Sequence, residues 1–178
     1  MTALNRGQIT LELPVTFRLA TKADLPKLEW YGQYAHFRRM FRRTFVEQTR
    51  GHRWMLLADC NDYPIGQVFV QLRSGEQHLA DGARRAYLYA LRVMDMFRGN
   101  GIGTHLLNEA ETMLWAGQFR WVTIAAAKDN PGARRLYERL GYRVFAEDPG
   151  DWSYVDQRGV AQQVHEPCWI MEKRLSSR

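Results

Sequence analysis

At 178 residues the chain is close to one average domain of roughly 150 residues, long enough to bury a core without metal or disulfide staples. Apolar residues make up 46% and charged residues 25%, which excludes a disordered or fibrous chain, and no apolar run reaches the about 18 residues a membrane span needs. Twenty-five Lys and Arg against 19 Asp and Glu give +6, a balance open to nucleic acid, anionic lipid or a polyphosphate ligand.

Residues 1–13 lack the basic-then-apolar pattern of an export signal, and two cysteines, Cys60 and Cys168, are too few for a disulfide framework or a zinc site. A reducing cytoplasm fits both observations. The charges are segregated. Arg38, Arg39, Arg42, Arg43, Arg50 and Arg53 share one segment, whereas Glu147, Asp148, Asp151, Asp156 and Glu166 crowd another. A nucleic-acid surface would not usually carry that acidic block.

In chain order, 16–20 is a short β-prone run, and Thr21 or Asp24 can cap a helix with Pro26 in its first turn. Helix-period apolar residues continue to about Val46, with a break near Gly32. The stretches 54–60 and 65–72, joined by a turn at 61–64, form a β-hairpin. A polar loop covers 74–82. The nearly continuous apolar run 86–94 suits a central strand buried on both faces. After it comes Arg98-Gly99-Asn100-Gly101-Ile102-Gly103-Thr104, then an amphipathic helix with Leu106, Leu107, Ala110, Met113 and Leu114 on one face and Gly117 ending it. Next come a core strand at 121–127, a helix opened by Asn130-Pro131 and closed by Gly141, and a strand at 142–146. A long polar excursion to about Glu166 precedes a last strand at 168–175. There are no repeats or linkers.

Strand, glycine-rich turn, helix is the arrangement that binds an anion: glycine lets the backbone approach, and the first-turn N–H groups point at the ligand with the helix dipole behind them. The dinucleotide pattern G-x-G-x-x-G fails, because its last position falls on Thr104 or Leu106. The nucleoside-triphosphate loop fails too, lacking its Gly-Lys-Ser/Thr end. The pattern R/Q-x-x-G-x-G/A fits, through Arg98, Gly101 and Gly103. Farther on, Asn130-x-x-Ala133-x-x-x-Tyr137-x-x-x-Gly141-Tyr142 matches N-x-x-A-x-x-x-Y-x-x-x-G-F/Y, and Leu91-x-Val93 matches a central-strand end. With these residues the chain resembles the GNAT superfamily of acetyl-CoA-dependent N-acetyltransferases over about 88–142. Asp95 departs from the proline of many members.

The resemblance implies an α/β fold of the GNAT type. Its sheet is mixed and mainly antiparallel, splayed between its central strands, with helices on both faces. The implied organisation is one N-acetyltransferase domain over 1–178, with its coenzyme-binding core at about 86–142. Acetyl-CoA is the implied co-substrate, and no metal is implied. The main chain of Leu91 and Val93 would pair with the pantetheine arm. The N–H groups of Arg98, Gly99, Asn100, Gly101, Ile102, Gly103 and Thr104 would hold the pyrophosphate, and Asn130 would touch the pantetheine or phosphate region. Tyr137 would stand near the sulfur and protonate the leaving thiolate. The implied reaction is direct acetyl transfer to a primary amine of a small molecule or peptide in a ternary complex. No nucleic-acid or membrane partner is expected, and a homodimer is left open.

Plainer readings compete. Asn130 before Pro131 is a good helix N-cap, and Tyr137 between Leu136 and Leu140 reads as an amphipathic core aromatic. The two still lie along one line of their helix, about 20° apart after seven residues. The arginines of 38–43 read as a solvated face, and the five histidines lack metal-ligand spacing. No carboxylate lies in 86–94 to act as base. Tyr87 and Tyr89, expected on the same face as Leu91, could relay a proton, with Glu76, Asp81 and the acidic block farther off. That block favours a cationic acceptor, and the arginines an anionic one. Two other functions stay in view: a catalytically silent acyl-CoA sensor, and a basic nucleic-acid-binding protein.

Overall fold

The computed structural model describes residues 12–176. Residues 1–11, most of the stretch read above for an export signal, lie outside them. After β1 (Thr16–Leu19) the chain makes three short 3-10 turns at Lys22–Asp24, Lys27–Glu29 and Ala35–Phe37, then enters α1 (Arg38–Thr49). The helix-period region breaks where expected, near Gly32, because Trp30, Tyr31 and Gly32 all take left-handed φ values of 42°, 57° and 96°, which no α-helix accommodates. The pieces before α1 are 3-10 turns rather than the α-helix expected there. Trp30 is held there by its indole N–H, which donates to the Pro64 carbonyl at 2.9 Å.

The expected hairpin follows as β2 (Arg53–Cys60) and β3 (Tyr63–Gln71). Its two turn residues, Asn61 and Asp62, both have positive φ, as a tight hairpin turn requires. Then come β4 (Arg85–Val93), α2 (Ile102–Ala116), β5 (Trp121–Ala127), α3 (Pro131–Arg139) and β6 (Arg143–Asp148). The polar excursion contains a hairpin absent from the sequence reading, β7 (Asp151–Val155) with β8 (Ala161–His165), before β9 (Cys168–Arg174). The main sheet runs β1-β2-β3-β4-β5-β9-β6, and only its β4–β5 pair is parallel. This is the expected mixed, mainly antiparallel sheet.

Helices cover both faces. On one, Leu106, Leu107, Ala110 and Leu114 of α2 and Tyr137 of α3 pack with Leu56, Val68, Leu88, Val122 and Ile124. Leu106, Leu107 and Leu114 are fully buried, each contributing about 1.5–3 kcal/mol of transfer free energy. Glu111, also buried, accepts hydrogen bonds from the Tyr142 hydroxyl at 2.9 Å and Lys173 Nζ at 2.6 Å, tying α2 to the end of α3 and to β9. On the opposite face, Phe37 and Phe41 pack with Met55, Leu57 and Phe69.

Two irregularities in β4 shape the centre. Parallel pairing with β5 runs from Arg85–Trp121 to Leu88–Ile124 and stops, although both strands continue. The sheet splays there, and β4 passes from buried Leu88 to a half-buried stretch at 89–93, not the fully buried strand the sequence suggested. The second is a β-bulge: Gln67 faces Arg92 and Phe69 faces Tyr89, so three intervals on β4 oppose two on β3, with Ala90 at φ 52°. The extra residue reverses the alternation. Leu88, Leu91 and Val93 pack on the α2 face, whereas Tyr89 and Ala90 pack on the α1 face. The expectation that Tyr87 and Tyr89 share a face with Leu91 is therefore wrong.

Candidate active site

The glycine loop closes onto α2 with Gly101 at φ 80° as the residue before the helix, a conformation open to glycine and costly for other residues. The first α-helical hydrogen bond runs from the His105 N–H to the Gly101 carbonyl at 3.0 Å. Among the described residues, the main-chain N–H groups of Gly99, Asn100, Gly101, Ile102, Gly103 and Thr104 have no acceptor. Six consecutive free donors at the start of a 15-residue helix make a strong anion site. The Arg98 N–H does not join them, because it donates to the Asp95 carbonyl at 3.2 Å. The Arg98 side chain also folds back, its Nε on the Val93 carbonyl at 3.0 Å and Nη2 on Asp95 Oδ1 at 2.9 Å. Asp95, where many members carry proline, thus braces the loop. The Asn100 side chain donates to the Phe97 and Arg98 carbonyls, so its part is also internal.

The loop, the end of β4 and α3 converge. A β-carbon built on Gly103 would lie 3.8 Å from Val93 Cγ2 and 4.0 Å from Leu136 Cδ2. A methyl group would thus fit at Gly103 in ordinary van der Waals contact. Leu91 and Val93 lie on this side, beyond the last β4–β5 pair. Asn130 caps α3 as its plainer reading foresaw, its Oδ1 accepting from the Ala133 N–H at 3.0 Å. Its amide nitrogen stays available as a donor.

Tyr137 is 5% exposed, with its ring 6.0 Å from that of Tyr142. Among the described residues its hydroxyl has no hydrogen-bond partner. Burial pushes its pKa up to about 12, so the phenol keeps its proton at neutral pH. Burial likewise raises the Tyr87 phenol, which makes Tyr87 a poor base.

Sequence reasoning missed Arg92 and His36, which lie across the splay. Arg92, carried to the α1 face by the bulge, sets its guanidinium carbon 4.6 Å from the Tyr34 ring centre and 4.9 Å from that of Phe37. His36 packs 4.1 Å from Phe37 and 5.9 Å from Tyr154, and Trp152 and Tyr154 of the new hairpin close over Phe37. Burial and then the Arg92 charge lower the His36 pKa against a weaker pull from Asp156, favouring neutral imidazole. No motif marks these residues, since their meeting depends on one bulge and on a hairpin that sequence patterning hid. The arginine face behaves as its plainer reading foresaw: Arg38, Arg39, Arg42 and Arg43 are exposed, and Arg38 pairs with Glu29. The acidic block is engaged locally. Asp156 accepts from the Arg158 and Val160 N–H groups, Asp151 faces His165, and Glu147 pairs with Lys128.

Comparisons with known proteins identify the family and the fold. The profile of the Acetyltransferase (GNAT) family matches residues 18–142. Human N-alpha-acetyltransferase 30 is 30% identical over 140 residues, which cover 77% of this chain and 34% of that protein. The match thus spans about a third of that relative. Among solved structures, Arabidopsis thaliana NAA60 in complex with acetyl-CoA superposes with a TM-score of 0.67 at 20% identity, covering 91% of this chain and 99% of the other. Ard1 from Thermoplasma volcanium superposes at 0.70 with 14% identity, covering 92% and 99%. The chain belongs to the GNAT family of acetyltransferases. Among the described residues no cluster of metal-ligating side chains occurs, and no helix is long and apolar enough to cross a membrane.

Proposed function

We propose that the chain is an N-acetyltransferase, one catalytic domain over 1–178 with its coenzyme core at about 86–142, acting in the cytoplasm on a primary amine of a small molecule or peptide. The observation that carries this reading is the row of six unpaired N–H groups from Gly99 to Thr104, with Gly103 of that row set against Val93 of β4 and Leu136 of α3. Acetyl-CoA, when bound, supplies an acetyl group activated as a thioester.

The free donors of the loop hold the pyrophosphate, with Arg98 contributing through its brace on Val93 and Asp95 rather than through its own N–H. Leu91 and Val93 offer main-chain groups on the splayed part of β4, which align the pantetheine arm and place an N–H where oxyanion charge develops. Asn130 adds its amide nitrogen. Tyr137 keeps its proton and presents it to the departing sulfur. An alkyl amine with pKa near 10.4 must lose a proton before it attacks, and neutral His36 across the splay is better suited to take one than Tyr87. Asp151 and Asp156 are engaged within the β7–β8 hairpin and Glu147 with Lys128, which weighs against a cationic acceptor held by those three.

The test is free-thiol release from acetyl-CoA across a panel of small amines and peptides. Saturable turnover with an amine, its product heavier by one acetyl group, is the expected result. Tight coenzyme binding with no amine acetylated would replace the enzyme with the silent-sensor reading.

A further inference from the structure

Arg92 is a cation placed at a reaction site without a counter-ion. Its Nη1 is sealed from solvent and makes no hydrogen bond, and among the described residues no other side-chain nitrogen or oxygen is both sealed from solvent at the atom itself and without a partner. No carboxylate of the described residues stands within ion-pairing distance of it. Glu166 and the Tyr34 hydroxyl lie near enough to attract the charge without bonding it, and His36 feels the same charge. A guanidinium cannot escape burial by losing its proton, so it is ordinarily paired when water is removed. Here the protein arranges the opposite. The Tyr34 and Phe37 rings stand beside the cation, and the partner that Nη1 lacks within the protein is one a planar anion would supply.

The position is as informative as the missing partner. Arg92 lies between Leu91 and Val93, the residues assigned to the thioester arm, but the Ala90 bulge turns it to the opposite side of the sheet. The loop, α2 and α3 occupy the coenzyme side, so an acceptor approaches the splay from the α1 side, past Arg92 and under the β7–β8 hairpin.

We propose that Arg92 is a specificity residue of the acceptor site, and that the acetylated amine carries a carboxylate which its guanidinium grips. This names the substrate class of the reaction proposed above and rests on that reading. Two sources share the chemistry: a free amino acid, through its own carboxylate, and a peptide N-terminus with Asp or Glu among its first three residues.

The experiment uses acceptors in matched pairs differing only by carboxylate against carboxamide. One arm compares free amino acids with their amides. The other compares tripeptide amides bearing Asp or Glu with those bearing Asn or Gln. Thiol release gives kcat/KM for the wild type, Arg92→Gln and Arg92→Lys, and calorimetry with desulfo-coenzyme A bound reads the same pairs without turnover. The carboxylate member is expected to win by about 10- to 100-fold in one arm, which identifies the source. Arg92→Gln should abolish the preference, Arg92→Lys should restore part of it, and coenzyme affinity should change less than twofold in both. Equal or better carboxamides in the wild type, or a preference that survives Arg92→Gln, overturns the proposal. The wild-type comparison decides even if Arg92→Gln does not fold. Carboxylate preference in calorimetry without any turnover would sink the acetyl-transfer reading and leave the Arg92 site standing. Neither turnover nor preference would sink both.

Discussion

Tyr137 shows how a buried aromatic and a proton donor differ in what they predict. Its raised pKa means the phenol keeps its proton across the neutral range, so in the proposed reaction it would serve as a held donor and not as a titrating switch. Tyr137→Phe keeps the ring against Tyr142 and removes the proton. Loss of a general acid typically costs about 10²–10⁴-fold in rate, and kcat should fall in that range with acetyl-CoA affinity unchanged. A fall below about fivefold, in an assay limited by chemistry, would leave Tyr137 as core packing. Gly101 and Gly103 separate two effects that the sequence alone could not. Gly101→Ala forces a side chain into left-handed backbone at a cost of about 1–2 kcal/mol, so it should lower stability as well as coenzyme affinity. Gly103 has ordinary space around it, and Gly103→Glu should abolish coenzyme binding, measured by calorimetry, with little loss of melting temperature. Normal affinity in folded Gly103→Glu would remove the loop from the coenzyme site.

At the scale of elements, the bulge in β4 decides which side chains face α2 and which face α1. Ala90 at φ 52° bears the left-handed cost of about 1–2 kcal/mol that glycine escapes, so Ala90→Gly should preserve fold and activity and not lower stability. A β-branched residue is strained there, so Ala90→Val should cost about 1–3 kcal/mol of stability in urea titration. Equal stability of the two variants would contradict the bulge. This feature was not legible in the sequence, because Ala90 is one of nine residues in an ordinary apolar strand. Elements with strong local signals read well: α2 from its apolar stripe and Gly117, α3 from Asn130-Pro131 and Gly141, the first hairpin from its 61–64 turn. The β7–β8 hairpin was hidden because its aromatics, Trp152 and Tyr154, are spaced among polar residues, and its turn is organised by the Asp156 carboxylate. The same contrast divides the site. Its coenzyme half follows from glycines whose role is local, whereas Arg92 and His36 come together only through tertiary packing.

For the molecule as a whole, the start of the fold is fastened by one charge cluster. Arg18 donates to Asp24 at 2.7 and 2.9 Å and also to Asp59, and the Thr21 N–H and hydroxyl donate to Asp24. The Arg18 hydrogen bond, helped by Thr21 and opposed by burial, lowers the Asp24 pKa from 3.8 to about 2. A depressed carboxylate stabilises the fold above its unfolded pKa and loses that contribution as pH falls toward its folded one. Allowing for the partly exposed Arg18, about 1–2 kcal/mol should be lost between about pH 4 and pH 2. Chemical denaturation of the wild type against Asp24→Asn should show the difference shrinking over that window, and parallel profiles would contradict it. The central claim is that one fold brings the free N–H row, the splayed β4 and Tyr137 to a single coenzyme site. The structure of the protein crystallised with coenzyme A tests it most directly. The account predicts the pyrophosphate on the N–H groups of Gly99 to Thr104, the pantetheine arm along Leu91 and Val93, and the sulfur beside the Tyr137 hydroxyl. Coenzyme A bound outside the β4–β5 splay, or a sulfur directed away from Tyr137, would contradict it.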